Sequence, residues 1–588
     1  MDMDNALRKV SCLALIMAPL MTFGTAASQD GTAETIYHNA KVVTVNDSFD
    51  IAEAVAVKDG HIMAVGSNSQ IQALASTDTK LVDLHGKTLL PGFYDGHIHV
   101  GTSGLPFGAT FNVPTPDQLD EVLTEQAAKV PAGEWLVGVM NRPYCHMKMP
   151  NRWELDAIVP DHPVMLACGV LKLTLNSQAI GKAGLSKDTP EPKDGLIVRD
   201  EQGEPLGVLT MGARSYALGV IPKPALSDEQ ARENLRAQLK KFPPMGVTSV
   251  NVAGVRPNEL RLIQDVYARW GDELPRATLQ IFMFPGYDHV ETSLAEIEGL
   301  GFRSGIGDER LKLGAIKMAM DGAIAVPDFK TIEPYDSQVS FGEHGPWENH
   351  DGHFDGVTVI PQDSLYKVGK RAHDLGWQLG IHTIGDAAAV QAVEVLERIL
   401  KESPKKDHRH HLHHLTIRPP EATLAKIADL DIIVDTQPNY TYYNNAFMLA
   451  AVSGERLETQ NPQRSLLDHG IKIAYGSDGL PHGPLLGIWA ATTRIGYDGK
   501  VYGAEEALKV EEAIRAYTQG PAYLTFDENE RGSIEEGKVA DMVVLAEDPL
   551  TIDPMQLRDV AVEKTIVAGE EVFAGSHVEP YYQLPPAP

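Results

Sequence analysis

Leu90-Pro91-Gly92-Phe93-Tyr94-Asp95-Gly96-His97-Ile98-His99 is an apolar, strand-like run that ends in two histidines separated by one residue. Side chains alternate along a strand, so His97 and His99 point to one side and Ile98 to the other, and two imidazoles on one face can chelate a single ion. The spacing alone is weak: with 21 histidines in 588 residues, chance yields about 0.75 such pairs. The rest of the chain has to supply the context.

Downstream, apolar β-type runs alternate with helical stretches at Asp228 to Lys241, Asp363 to Leu375, Ala388 to Lys401 and Glu505 to Tyr517, the pattern of parallel βα units. Eight inner strands can be counted: Asp95 to Val100, Val247 to Val252, Thr278 to Phe284, Leu313 to Met318, Gln378 to Thr383, His410 to Leu415, Ile432 to Thr436 and Lys472 to Ser477. Eight is what a closed α/β barrel of the (β/α)8 TIM type requires. The count places the barrel at 91–529 and leaves 101–244 as a long insertion after the first strand, with strands of its own at Trp135 to Val139 and Pro163 to Cys168. Both chain ends read as β structure. Ala54 to Val57 and Ile62 to Val65 flank a Lys58-Asp59-Gly60-His61 turn, and Val562 to Val572 forms a hairpin about Ala568-Gly569. Segments 32–90 and 530–576 are therefore expected to pair into one small β-sandwich.

The first 27 residues differ from the rest. Arg8 and Lys9 precede an apolar run from Val10 to about Phe23, followed by Gly24, Thr25, Ala26 and Ala27, the arrangement of a secretory signal peptide. The run is shorter than a bilayer span of about 20 residues, so the expectation is a cleaved leader, an exported chain in the periplasm or outside the cell, and no stable membrane anchor. Without the leader only Cys145 and Cys168 remain, which excludes a disulfide scaffold and leaves their pairing open. A formal charge of −29 sets a field that repels polyanions, so nucleic acid is not an expected partner.

Four further candidate ligands fall at the C-terminal ends of later strands, where barrel enzymes place their chemistry: Lys317, His382, His414 and Asp478. Within His408 to His414, strand parity alone does not choose between the faces of His410 and His414 and of His411 and His413. Position favours His414, nearest the strand end.

These motifs together resemble the amidohydrolase superfamily, and within it the amidohydrolase family 3 group of YtcJ-like and N-substituted formamide deformylase-like proteins. The resemblance covers nearly the whole chain after the leader. It rests on Leu90 to His99, on KMAMDG at Lys317 to Gly322, on His382-Thr383-Ile384-Gly385-Asp386, on His413-His414, on Gly476-Ser477-Asp478, and on GSIEEGKVADMVVL at Gly532 to Leu545. It implies that His97, His99 and Asp478 hold one divalent metal and His382 and His414 a second, with Lys317 as a carboxylated bridge; zinc suits such ligands. It also implies hydrolysis of a carbon–nitrogen bond in a small amide-like substrate (N-acyl, N-formyl, carbamate or cyclic amide) by metal-activated hydroxide, with Asp478 as the catalytic proton carrier. Three departures bear on the pocket: Leu171 and Asn251 stand where the family often has histidine, and Met211 where it often has an acidic residue.

Two other readings share the fold. A ring or amidine deaminase resembles a His-x-x-Glu arrangement, but Gly385 follows His382 at that spacing. A non-catalytic periplasmic binding protein would have no need to keep six candidate ligands. Substrate identity and oligomeric state are not written in these motifs. Trp377, Tyr440, Tyr442 and Tyr443 are expected to serve as packing.

Overall fold

A computed structural model describes residues 31–101, 109–140, 149–169, 172–222, 226–336, 354–479 and 482–578. Eight strands form one parallel sheet: β1 (Phe93–Ile98), β2 (Val247–Val255), β3 (Arg276–Phe282), β4 (Leu311–Ala319), β5 (Leu379–Thr383), β6 (His411–His414), β7 (Ile433–Thr436) and β8 (Ile473–Tyr475). Each pairs with its sequence neighbour in parallel. The ring closes where Ser477 and Asp478 donate their N–H groups to His97 O, at 3.1 and 2.7 Å, with a parallel bridge between Ile98 and Asp478.

Two glycines make that closure possible. A Cβ on Gly476 would lie 2.4 Å from the His97 nitrogen, and one on Gly96 would lie 2.9 Å from Tyr475 O, so only bare backbone lets β8 come against β1. Asp95 then joins the two strands, accepting the Ser477 N–H at 2.9 Å and the Ser477 hydroxyl. The sequence motifs Asp95-Gly96-His97 and Gly476-Ser477-Asp478 are thus two halves of one seam.

Helices Gln362–Asp374 and Asp386–Glu402 agree with the expected ones to within a few residues. The stretch expected as one helix from Glu505 to Tyr517 does not form as such. It is a short 3-10 turn, Ala504–Glu506, and a separate helix, Val510–Ala516. The buried Glu506 carboxylate is held by the Ser465 N–H at 2.9 Å and its hydroxyl, and Lys509 is extended, with its N–H donated to Glu512 at 2.8 Å. Tertiary hydrogen bonds outweigh local helix propensity here.

Segment 101–244 carries a six-stranded sheet with its own apolar cluster, which includes Met165, Leu173, Leu175 and Leu209. Cys168, at the end of one of its strands, is disulfide-bonded; the other cysteines, Cys12 and Cys145, lie outside the described residues, as does the expected leader. Strands from the two chain ends share a sheet, Met542–Leu545 pairing with Thr88–Pro91, and residues of this sheet and of a four-stranded N-terminal sheet meet in a cluster that includes Tyr37, Val55, Ile62, Met542 and Ile566. Both expected hairpins form, with positive φ at Asp59, Gly60, Ala568 and Gly569 as tight two-residue turns demand. Among the described residues no helix is long and apolar enough to cross a membrane.

Candidate metal centre

The six candidate ligands come from the ends of five strands, His97 and His99 sharing β1, and meet in one patch. Lys317 Nζ lies 3.0 Å from His97 Nε2. Asp478 Oδ1 lies 3.1 Å from His99 Nε2 and 3.8 Å from His97 Nε2. The His414 ring centroid is 4.9 Å from that of His97 and 4.5 Å from that of His382.

The backbone aims two of these side chains. His411 and His413 point into the barrel, where their rings are 4.6 Å apart, and parity would send His414 outward with Leu412. His414 instead takes a left-handed φ of 72°, which swings its ring onto His97 and His382. Asp478 is also left-handed, with φ 58°. For side chains other than glycine this geometry is strained, and it clusters at functional sites.

Hydrogen-bond partners orient the rings of His97, His414 and His382. His97 Nδ1 donates to Asp435 Oδ2 at 3.1 Å, which leaves Nε2 turned to Lys317 and Asp478. His414 Nδ1 donates to Gln437 Oε1 at 2.6 Å, leaving Nε2, and His382 Nε2 donates to Gly322 O at 2.9 Å, leaving Nδ1. An imidazole whose second nitrogen is anchored in this way is oriented as metal ligands are. Burial holds all three neutral, the form that ligates: His97 and His414 lie well below the usual imidazole range and His382 is pushed down to about 4. Burial also pushes Lys317 down to about 8.

Among the described residues, two sets of three donors have the spacing of a metal site, with ligand atoms within 4.8 Å of one another: His97, His99 and Asp478, and His97, His413 and Asp435. The first fits an ion that must meet substrate, because the His99 and Asp478 side chains are 47% and 14% exposed, whereas both side chains of the His413–Asp435 pair are at 0%. The second set is a support. Asp435 Oδ2 lies 2.8 Å from His413 Nδ1 as well as 3.1 Å from His97 Nδ1, and His413 Nε2 lies 3.0 Å from Gln280 Oε1.

The sequence motifs do not single out Asp435 and Gln437, although Asp435 carries a signal. An acidic residue inside the apolar strand Ile432-Ile433-Val434-Asp435 is costly to bury unless it has partners. Tyr440 departs from the packing role expected of it, because its hydroxyl donates to Asp478 Oδ2. Trp377 and Tyr442 are packing residues, against Phe302 and Trp489, and Tyr443 is buried against Tyr442. Of the three departures, Asn251 is buried on β2, Met211 stands at φ 44° with its carbonyl accepting from Arg214 Nε at 2.6 Å, and Leu171 lies outside the described residues.

The model of the amidohydrolase family matches residues 80–573. The chain belongs to that family. It is therefore an enzyme, a metal-dependent amidohydrolase acting on carbon–nitrogen bonds of small molecules. Relatives match along almost all of it: a putative amidohydrolase, YtcJ, of Bacillus subtilis is 29% identical over 92% of this chain and 100% of its own length. The N-substituted formamide deformylase of Arthrobacter pascens is 28% identical over 90% of this chain and 96% of its own. In fold, the amidohydrolase chain is similar to an uncharacterized metal-dependent hydrolase from Pyrococcus horikoshii, with TM-score 0.67 and 21% identity over 88% of this chain and 99% of the other.

Proposed function

We propose that this amidohydrolase cleaves the amide bond of a small N-formyl or N-acyl amine, at a centre of one or two zinc ions held by His97, His99 and Asp478 on one side and His382 and His414 on the other. The reading is carried by the convergence of six side chains from five strand ends, with neutral imidazoles and one carboxylate gathered in one patch. The relative that acts on N-substituted formamides supports the substrate class. Carbamates and cyclic amides are the other bonds such a centre handles.

Imidazole and carboxylate donors suit zinc, and a bound dication supplies Lewis acidity, acidifying water and polarising a carbonyl at neutral pH. The residues do the rest. Asp478 takes a proton from the attacking water and returns it to the leaving nitrogen, so that the amine and the acid are released, and the acid's proton passes to the more basic amine to give ammonium and carboxylate. Asp435 keeps His97 in one tautomer throughout. Lys317 as an ammonium would repel a dication. We read it as carboxylated: the neutral amine, which burial favours, adds to carbon dioxide with loss of one proton and becomes an anion that can bridge.

The deaminase reading finds no support at position 385. A Cβ on Gly385 would lie 1.7 Å from Lys330 O, so an acidic side chain has no room there. We also propose export through a cleaved leader ending near Ala27, a reading favoured by the disulfide at Cys168, since disulfides persist in oxidising compartments. Sequencing the N-terminus of the mature protein tests that point, and a chain that still begins at Met1 would refute it.

The activity is tested by turnover of a panel of N-formyl and N-acyl amines on metal-loaded protein, with product identification. Asp478→Asn is expected to lower the rate by about 10²–10⁴-fold, the usual contribution of a positioned acid–base group. Undiminished hydrolysis by that variant at neutral pH would remove Asp478 from proton transfer.

A further inference from the structure

We propose that Tyr440 is a positioning residue of the metal centre: its hydroxyl holds one oxygen of Asp478 so that the other stays turned to His99 and His97. This rests on the metal-centre reading above.

The two carboxylate oxygens of Asp478 have different surroundings. Oδ2 accepts the Tyr440 hydroxyl, while Oδ1 is the atom 3.1 Å from His99 Nε2 and 3.8 Å from His97 Nε2. A phenol donating to a carboxylate is a charge-assisted hydrogen bond, stronger than a neutral one and directional. A side chain so held is not free to rotate its oxygens or to offer both to one ion.

The backbone aims Asp478 through a left-handed φ of 58°, a conformation aspartate reaches more readily than most side chains, and neighbouring residues fix it there. The residue before Tyr440 supplies part of that hold. Asn439 Nδ2 donates to Ser477 O at 3.1 Å, and Ser477 is tied to Asp95. Adjacent residues in the turn that follows β7, where the short helix Tyr440–Tyr443 begins, thus grip both the backbone before Asp478 and its carboxylate. The phenol also sets a spacing. Its ring lies nearly parallel to His414, at 10° and 5.8 Å between centroids, with the hydroxyl 3.5 Å from His414 Nδ1. One buried hydroxyl therefore lies against both Asp478 and His414, which belong to opposite sides of the proposed centre.

The test is a cobalt(II) titration of chelator-stripped full-length protein, read by the visible absorption of the bound ion, for wild type, Tyr440→Phe, Asp478→Asn and the double variant. Tyr440→Phe is expected to bind cobalt about 10–100-fold more weakly, the usual loss when a ligand's own partner is removed, and to shift the absorption bands, while its metal-free melting temperature stays that of wild type. In the Asp478→Asn background the same change should cost nothing further, since the residue acts through Asp478. Wild-type affinity and spectrum in Tyr440→Phe would overturn the inference, as would losses that simply add in the double variant. Should Tyr440→Phe soften the metal-free fold, the additivity comparison still decides, because a packing defect adds to the Asp478 loss and a hold on Asp478 does not. A wild-type chain that takes up no cobalt overturns the centre itself, and this inference with it, so the two failures are told apart.

Discussion

His97 shows how far a single residue is defined by what stands behind it. Its Nε2 faces the centre because Asp435 Oδ2 lies 3.1 Å from Nδ1 and accepts there, and Asp435 is buried, its Oδ1 without a hydrogen-bond partner among the described residues. Asp435→Asn is expected to weaken metal binding by about 10–100-fold, because the amide can present a donor where His97 needs an acceptor. Metal content after dialysis against a weak chelator checks this; unchanged stoichiometry would reduce Asp435 to a packing role. At Lys317 the expected outcome is different in kind. Lys317→Ala should purify with less metal and regain it when a short carboxylic acid is added, since the small acid can take the place of a carboxylate carried on the side chain. No recovery in any acid would argue against a carboxylated lysine.

Strand β6 shows what one element can hold. The run His408 to His414 does three jobs in seven residues. Before the strand, the Leu379 N–H donates to His410 Nδ1 at 3.0 Å, His410 Nε2 donates to His373 Nδ1 at 2.8 Å, and His373 Nε2 donates to Ser403 O at 2.8 Å. His408 accepts the His410 N–H and donates to Leu430 O, both at 2.8 Å. Inside, His411 and His413 fill space left by Gly380, where a Cβ would lie 2.5 and 2.7 Å from their Nε2 atoms. At the end, His414 turns to the centre. The relay has a pH consequence. Burial holds His373, His408 and His410 below the ordinary imidazole value of 6.5, so below that pH the unfolded chain takes up protons that the folded chain refuses. Their contribution is complete above about pH 6.5 and is lost as pH falls below it. The urea midpoint should therefore drop between pH 7.5 and 5.5, and drop less in His410→Gln; an equal drop in both would clear the relay of responsibility.

At the scale of the molecule, the terminal sheets are joined to the barrel by a buried ion pair. Arg276, the first residue of β3, donates Nε to Asp541 Oδ2 at 2.8 Å and Nη2 to Oδ1 at 3.3 Å, with both side chains at most 4% exposed. Breaking such a pair strands a charge in low dielectric, so Asp541→Ala is expected to cost about 3–5 kcal/mol, whereas replacing both partners by apolar residues of similar volume should cost much less. Thermal or urea unfolding of the single and double variants measures this. A double variant as unstable as the single one would show that the pair does more than neutralise itself.

Much of this was open to reading in one dimension. Strand period, turn chemistry and the order of apolar runs identified eight parallel strands, the hairpins at both chain ends, and the six polar residues at strand ends, because local backbone geometry and side-chain alternation are short-range properties of the chain. What tertiary structure alone decided lies between segments: that Gly96 and Gly476 interlock to close the ring, that a left-handed turn brings His414 in against its parity, that Glu506 gives up a helix to reach Ser465, and that Asp435, Gln437 and Tyr440 stand behind the proposed ligands. The physical reason is the same in each case. Which nitrogen of a histidine is free, and which oxygen of an aspartate, depends on hydrogen bonds to residues tens or hundreds of positions away, and no local pattern records those partners.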